Sequence, residues 1–363
     1  MEEPMEKKSR LDVAVLNPST CIKDKRISCV LGDEYAANKD AVGLVKGLAV
    51  TLTSKKYASQ VLKHLTEYLP LEGLQHLKRV RSVKTHDGDK LQVLMFVATL
   101  HEDFMDLNKT LNIKEIKPVK DFIMDPMFVA IPIKPPLTRD QFNICKQYWP
   151  VSFHEDKKIS KLLLCSLFAD DDMDRIEENM DLAIETARIG KKFDPRCDQG
   201  VVIVDPATNT IISTAFDMRN MECEIKDGYF ARHPLNHAVM VAIDLVARSQ
   251  GGGTYTYKPF LKSNSKINDG LYFNSTLPTS ARNTSDTSDK GYYICTGLDV
   301  YVTKEPCIMC SMALLHSRVR CVFYGVSRPG GGLGSAFKLH ARKDLNHRFE
   351  VFCNVLKSKC QVL

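Results

Sequence analysis

Two cysteines three positions apart constrain this chain more than any other feature. Pro306-Cys307-Ile308-Met309-Cys310 opens a run, residues 306–317, that predicts a helix. Proline suits a first helical position because its missing N–H would have no intrahelical partner there. Side chains at i and i+3 share a face, and the positive end of the helix dipole favours thiolates. A soft thiolate pair suits zinc, whose tetrahedral sites need further ligands from elsewhere in the chain. His237, at the start of a helix predicted over 236–248, is the candidate third ligand. Taken alone, a C-x-x-C pair fits a redox couple or two buried thiols equally well.

The compartment follows from the ends and the composition. Met1-Glu2-Glu3-Pro4-Met5-Glu6-Lys7-Lys8 carries charge where a secretory signal needs an apolar run. No stretch reaches the roughly 18 apolar residues of a membrane span. Cytosol, nucleus or both are expected, so the 12 cysteines read as thiols and metal ligands. A net charge of +6 permits a polyanionic partner without demanding one. At 363 residues the chain is long enough for two domains.

Periodicity divides the chain. Residues 1–43 alternate short apolar runs with charge clusters and read as a partly ordered arm. Residues 44–155 read as a domain with strands at 44–52, 76–83, 91–100 and 128–133 and helices at 56–68 and 103–111. That order, βαββαβ, is the ferredoxin-like split βαβ. Ile131-Pro132-Ile133-Lys134-Pro135-Pro136 closes it as an extended connector, and the stretch carrying the only tryptophan, Trp149, packs on one domain or the other. Residues 156–363 alternate strands and helices, which predicts a layered α/β domain. Within it, residues 251–290 are rich in Ser, Thr, Asn, Gly and Asp and read as a mobile surface insertion.

Four separated motifs in this second domain resemble the tRNA adenosine deaminase family. They are Arg232-His233-Pro234-Leu235-Asn236-His237-Ala238, the run from Thr303-Lys304-Glu305-Pro306-Cys307 to Leu315-His316-Ser317-Arg318-Val319, Gly330-Gly331-Gly332-Leu333-Gly334-Ser335, and Leu345-Asn346-His347-Arg348-Phe349. The resemblance implies a cytidine-deaminase-like three-layer α/β/α fold and one Zn2+ on His237, Cys307 and Cys310. In that family the metal activates a water, and a glutamate that is not a ligand shuttles the protons. The glutamate stands two residues after the histidine. Here that position is Val239, which can neither accept nor deliver a proton.

The narrower resemblance is to the valine-bearing, non-catalytic subunits of eukaryotic heterodimeric tRNA wobble-adenosine deaminases. It implies a catalytic deaminase subunit and tRNA as partners, and an N-terminal domain that grips the tRNA body. The alternative is an active deaminase whose acid comes from elsewhere. Asp244 lies two helical turns past His237, and Glu305 belongs to the matched run, so neither fits. For the RNA grip, Lys78, Arg79, Arg81 and Lys84 cluster on and beside one predicted strand, with Lys114, Lys117 and Lys120 further on. The zinc's fourth position is expected to hold water or to be closed by the terminal Lys359-Cys360-Gln361-Val362-Leu363.

Overall fold

The computed structural model describes residues 27–85, 88–97, 117–164, 166–226, 229–255, 257, 260, 270–275 and 293–363. The helix expected at 103–111, Lys114 and most of 251–290 lie outside them. The chain enters through β1 (Ser28–Cys29) and α1 (Lys39–Val42). The N-terminal sheet comprises β2 (Leu44–Leu52), β3 (Val80–Thr85), β4 (Gly88–Val97) and β5 (Ile123–Pro132). Its order is β3-β4-β2-β5 and every pairing is antiparallel, as the split βαβ arrangement requires.

Alternation along β2 sends Leu48 and Val50 to one face and Ala49 to the other. The first face buries against Val61 and Leu65 of α2 (Ala58–Tyr68). The second is closed by α3 (Arg139–Tyr148) and by Trp149, whose indole N–H donates to the Lys78 carbonyl at 2.6 Å. The segment after Pro136, expected to pack on one domain or the other, is thus a helix that covers this sheet. Thr138 caps it, accepting from the Gln141 N–H. The strand expected at 76–83 begins only at Val80, because Leu77 bridges to Val151 instead.

The second domain contains α4 (Lys157–Leu164), α5 (Asp170–Phe193), β6 (Gly200–Asp205), β7 (Thr210–Phe216) and the hairpin β8 (Glu222–Lys226) with β9 (Tyr229–Arg232). Then follow α6 (Ala238–Ser249), β10 (Tyr272–Phe273), β11 (Asp299–Lys304), α7 (Ile308–His316), β12 (Cys321–Val326), β13 (Glu350–Cys353) and α8 (Lys357–Gln361). A seven-stranded sheet runs β1-β13-β12-β11-β6-β7-β10, with β11, β12 and β13 parallel. Val300 and Val302 point to the face covered by α6 and α7, and Tyr301 points to the face covered by α5. The central strands are buried on both sides, giving three layers, α/β/α. No helix among the described residues is long and apolar enough to cross a membrane.

Residues 27–42 differ from an arm. β1 pairs with β13 at the edge of the large sheet, while α1 packs on α3 of the N-terminal domain. Between them, the buried Gln141 side chain donates to the carbonyls of Glu34 (2.6 Å) and Ala36 (2.9 Å) and accepts from the Leu137 N–H (2.8 Å). Lys338 pairs with Asp33, and His340 approaches the Val30 carbonyl at 2.8 Å. This strap ties both domains together. A cut at residue 155 would therefore strip an edge strand from the larger sheet. Gln141→Ala strands two carbonyls and one N–H, and should cost about 1–3 kcal/mol. Denaturant titration with limited proteolysis checks this: an unchanged midpoint and an uncut strap would refute it.

Candidate metal centre

Two helices on one face of the large sheet start side by side. His237 is the N-cap of α6 and Cys307 the N-cap of α7, each in extended conformation. Their carbonyls accept the first helical bonds, from Val241 and Ser311. Neither side chain caps its own helix, so both can face each other. The His237 Nδ1 lies 3.7 Å from the Cys307 Sγ. Together with the Cys310 Sγ, all within 4.8 Å of one another, they form a three-ligand group. The helix begins at Ile308, so Pro306 precedes the N-cap; the two thiols meet because Cys307 caps and Cys310 sits in the first turn.

The donor set fits zinc, being one imidazole nitrogen and two soft sulfurs at helix N-termini. Charge distribution agrees. A hydrogen bond from Cys310, and then one from His237, hold the Cys307 thiol down at about 3 against the opposing effect of burial. The same bond, together with burial, pushes Cys310 up. Thiols must lose their protons to bind a metal, so a cation held here would displace them.

Val239, the second residue of α6, is fully buried in the apolar core between sheet and helices. The nearby acids among the described residues are each engaged elsewhere. Glu305, with no exposure, accepts from the N–H groups of Arg328 (3.2 Å), Leu333 (3.1 Å) and Ser335 (3.0 Å) and from the Ser335 hydroxyl. Asp244 accepts from Thr254 N–H at 2.7 Å, tying down the chain after α6. Asp217, absent from the sequence expectations, lies near enough for its charge to raise Cys310. Its carboxylate is 7% exposed and clamped by the Arg219 backbone N–H (3.1 Å) and by its guanidinium (Nε 2.9 Å). An aspartate with an arginine two residues on, at a strand's end, was the available signal: it forms an Asx turn that supplies its own counter-charge.

The C-terminal residues are not near the centre, contrary to one expectation. Cys360 is buried with Met180 and Phe352 on the opposite face of the sheet, and Lys191 of α5 donates to the Leu363 carbonyl. The intervening sheet keeps the tail from the metal ligands.

The basic cluster also divides. Arg79 donates to the carbonyls of Leu69 (2.5 Å), Met95 (2.9 Å) and Leu94 (3.2 Å), and burial lowers its guanidinium to about 10. Arg81 bonds Gln92 Oε1 (2.8 Å) and the Tyr148 carbonyl (3.0 Å) and lies 4.4 Å over the Trp149 ring. Both arginines serve internal packing. Lys84 faces Asp89 across the β3–β4 pair, and Lys78 is exposed.

Comparison with known proteins accords with both halves. Residues 45–149 match the family model of the tRNA-specific adenosine deaminase TAD3 N-terminal domain. Residues 173–326 match that of the cytidine and deoxycytidylate deaminase zinc-binding region. The chain is 38% identical over 340 residues to the "probable inactive tRNA-specific adenosine deaminase-like protein 3" of Danio rerio, covering 92% of this chain and 93% of that protein. The human protein of the same name is 38% identical over 328 residues, covering 89% and 88%. The "tRNA-specific adenosine deaminase subunit tad3" of Schizosaccharomyces pombe is 29% identical over 305 residues, covering 81% and 79%. With a deaminase-type ligand triad, valine beside it, and two relatives matched over nearly their whole length, the chain belongs to the TAD3 family of tRNA-specific adenosine deaminase proteins.

Proposed function

We propose that this chain is the non-catalytic, tRNA-binding and structural subunit of a heterodimeric zinc-dependent deaminase that converts wobble adenosine to inosine in the anticodon loop. The observation that carries the reading is Val239, buried and apolar where the proton shuttle would stand, with Glu305, Asp244 and Asp217 all engaged elsewhere. His237, Cys307 and Cys310 would hold Zn2+. In a catalytic deaminase domain, zinc held this way supplies Lewis-acid activation of water.

What this chain's own residues do is structural. The thiolate pair and imidazole tie α6 to α7, so that metal binding becomes folding free energy. Exposed apolar side chains near the helix starts, Leu235 (50%), Ile308 (42%) and Phe337 (47%), offer a surface for a catalytic subunit carrying the glutamate. The N-terminal domain, joined through the strap, would hold the body of a tRNA while the partner reaches the splayed wobble base.

The purified chain should be silent on a wobble-adenosine tRNA, carry about one zinc, and produce inosine when mixed with a glutamate-bearing deaminase subunit. Activity of the chain alone after repurification would overturn the reading. Asp217→Asn should leave heterodimer turnover within about twofold; a fall of about 10²–10⁴-fold would make Asp217 the shuttle. Cys310→Ser should lose the metal and lower the Tm by on the order of 10 °C, as chelation does to the parent. A variant as stable as the parent, and equally indifferent to chelator, would remove the structural role of the site.

A further inference from the structure

One end of the N-terminal domain carries several exposed lysines. β2 ends there at Leu52 and β5 begins at Ile123. Thr53 is bonded to the Phe122 carbonyl through its N–H (3.0 Å) and its hydroxyl (3.2 Å), which holds the two crossing segments together. This junction sets the Tyr57 ring on the Phe122 ring, centroids 4.5 Å apart and planes inclined by 29°. One face of Tyr57 is thereby covered, and the residue remains 39% exposed.

Four lysines lie on the segments that carry these two rings. Lys55 and Lys56 precede Tyr57, Lys63 lies on α2, and Lys120 precedes Phe122 by two residues; all four are exposed. Among the described residues none of them pairs with a carboxylate. The nearest acid on α2, Glu67, one turn beyond Lys63, takes part in a hydrogen bond with Tyr68. Asp121 is the one exposed acid within the segment 120–122. The contrast with β3 is physical: there Arg79 and Arg81 are bonded to carbonyls within the domain, and Lys84 stands opposite Asp89 in the strand register.

We propose that Lys55, Lys56, Tyr57, Lys63, Lys120 and Phe122 form an RNA-docking surface, in which the lysines meet backbone phosphates and an unpaired base stacks on the open face of Tyr57. The inference rests on the tRNA-binding reading and names where the N-terminal domain meets its ligand. An aromatic ring with one free face among cations suits a nucleic acid better than an acidic protein, which has charge but no base to stack. It suits RNA with looped-out bases better than a continuous duplex, whose bases are closed to stacking.

The test uses the zinc-loaded heterodimer and a wobble-adenosine tRNA, with binding followed across a salt series. Lys55→Ala, Lys56→Ala, Lys63→Ala and Lys120→Ala combined should weaken binding by about 100-fold at physiological salt. The salt slope should become shallower by about 3, since each phosphate that a lysine neutralises adds nearly one unit to it. Tyr57→Ala should weaken binding about tenfold with the slope unchanged, and Tyr57→Phe should restore it. Thermal melting of each variant separates misfolding from a direct effect on binding, since these side chains are exposed.

Parent-like affinity and slope in the quadruple variant would overturn this surface. So would a failure of that variant to assemble with the catalytic subunit, which would make the patch a protein interface. If the parent heterodimer binds tRNA no more tightly than the catalytic subunit alone, the underlying tRNA-binding reading falls instead.

Discussion

The Glu305 carboxylate, cut off from water and surrounded by donors from Arg328, Leu333 and Ser335, sets the geometry around the metal ligands. It sits between the end of β11 and the N-cap of α7, so the loop it gathers is drawn across the start of the thiol-bearing helix. Gly332 N–H then bonds the Pro306 carbonyl at 2.9 Å, and Gly331 bridges to Cys307. A Cβ at Gly331 would overlap the Glu305 carboxylate, and one at Gly332 would meet the Ser311 hydroxyl, so glycine is required by close approach. A buried anion is tolerable only when its lone pairs are filled, and here backbone N–H groups fill them. Remove the carboxylate, and the loop has no anchor to fold it over Cys307.

That arrangement survives independently of the proton shuttle. Ligands at two helix N-termini need only the sheet that aligns α6 with α7. Val239, two residues after His237, packs instead. Val239 contributes to the apolar core, and burying such a side chain is worth about 1.5–3 kcal/mol relative to exposing it.

Much of this was legible in the sequence, because the periodic signals are long and doubly supported. β6, β7, β11 and β12 are apolar runs between turn residues, and α5 and α6 carry the matching helical spacing, so the alternating α/β order emerged directly. The meeting of His237 with Cys307 and Cys310 was legible only because several separated motifs agreed, since the thiol pair alone had other uses. What escaped has a common physical character. β1 is two residues long and exists only through its pairing with β13, so no local pattern marks it. α3 follows a proline-rich run, and its helical character depends on the Thr138 cap and on burial of Gln141, a polar residue that no hydrophobic pattern would place inside. The shift of Pro306 from N1 to the residue before the cap moves a boundary by two positions, within the fraying that helix ends allow.

The arginines of β3 and its approach show how charge in a sequence differs from charge at a surface. Lys78, Arg79, Arg81 and Lys84 stand close together along the chain, but strand alternation and side-chain chemistry separate them. A guanidinium is planar, weakly hydrated and able to satisfy several carbonyls at once, so it can be drawn into a packed region; an ammonium is strongly hydrated and stays out. Arg79 follows that rule, collecting three carbonyls, and so does Arg81, lying over Trp149. The positive potential that reaches solvent therefore comes from lysines. On this domain Lys55, Lys56, Lys63 and Lys120 lie on the segments joined where Thr53 meets Phe122. A surface built that way can attract a polyanion at long range through its charge and hold it in one orientation through its ring.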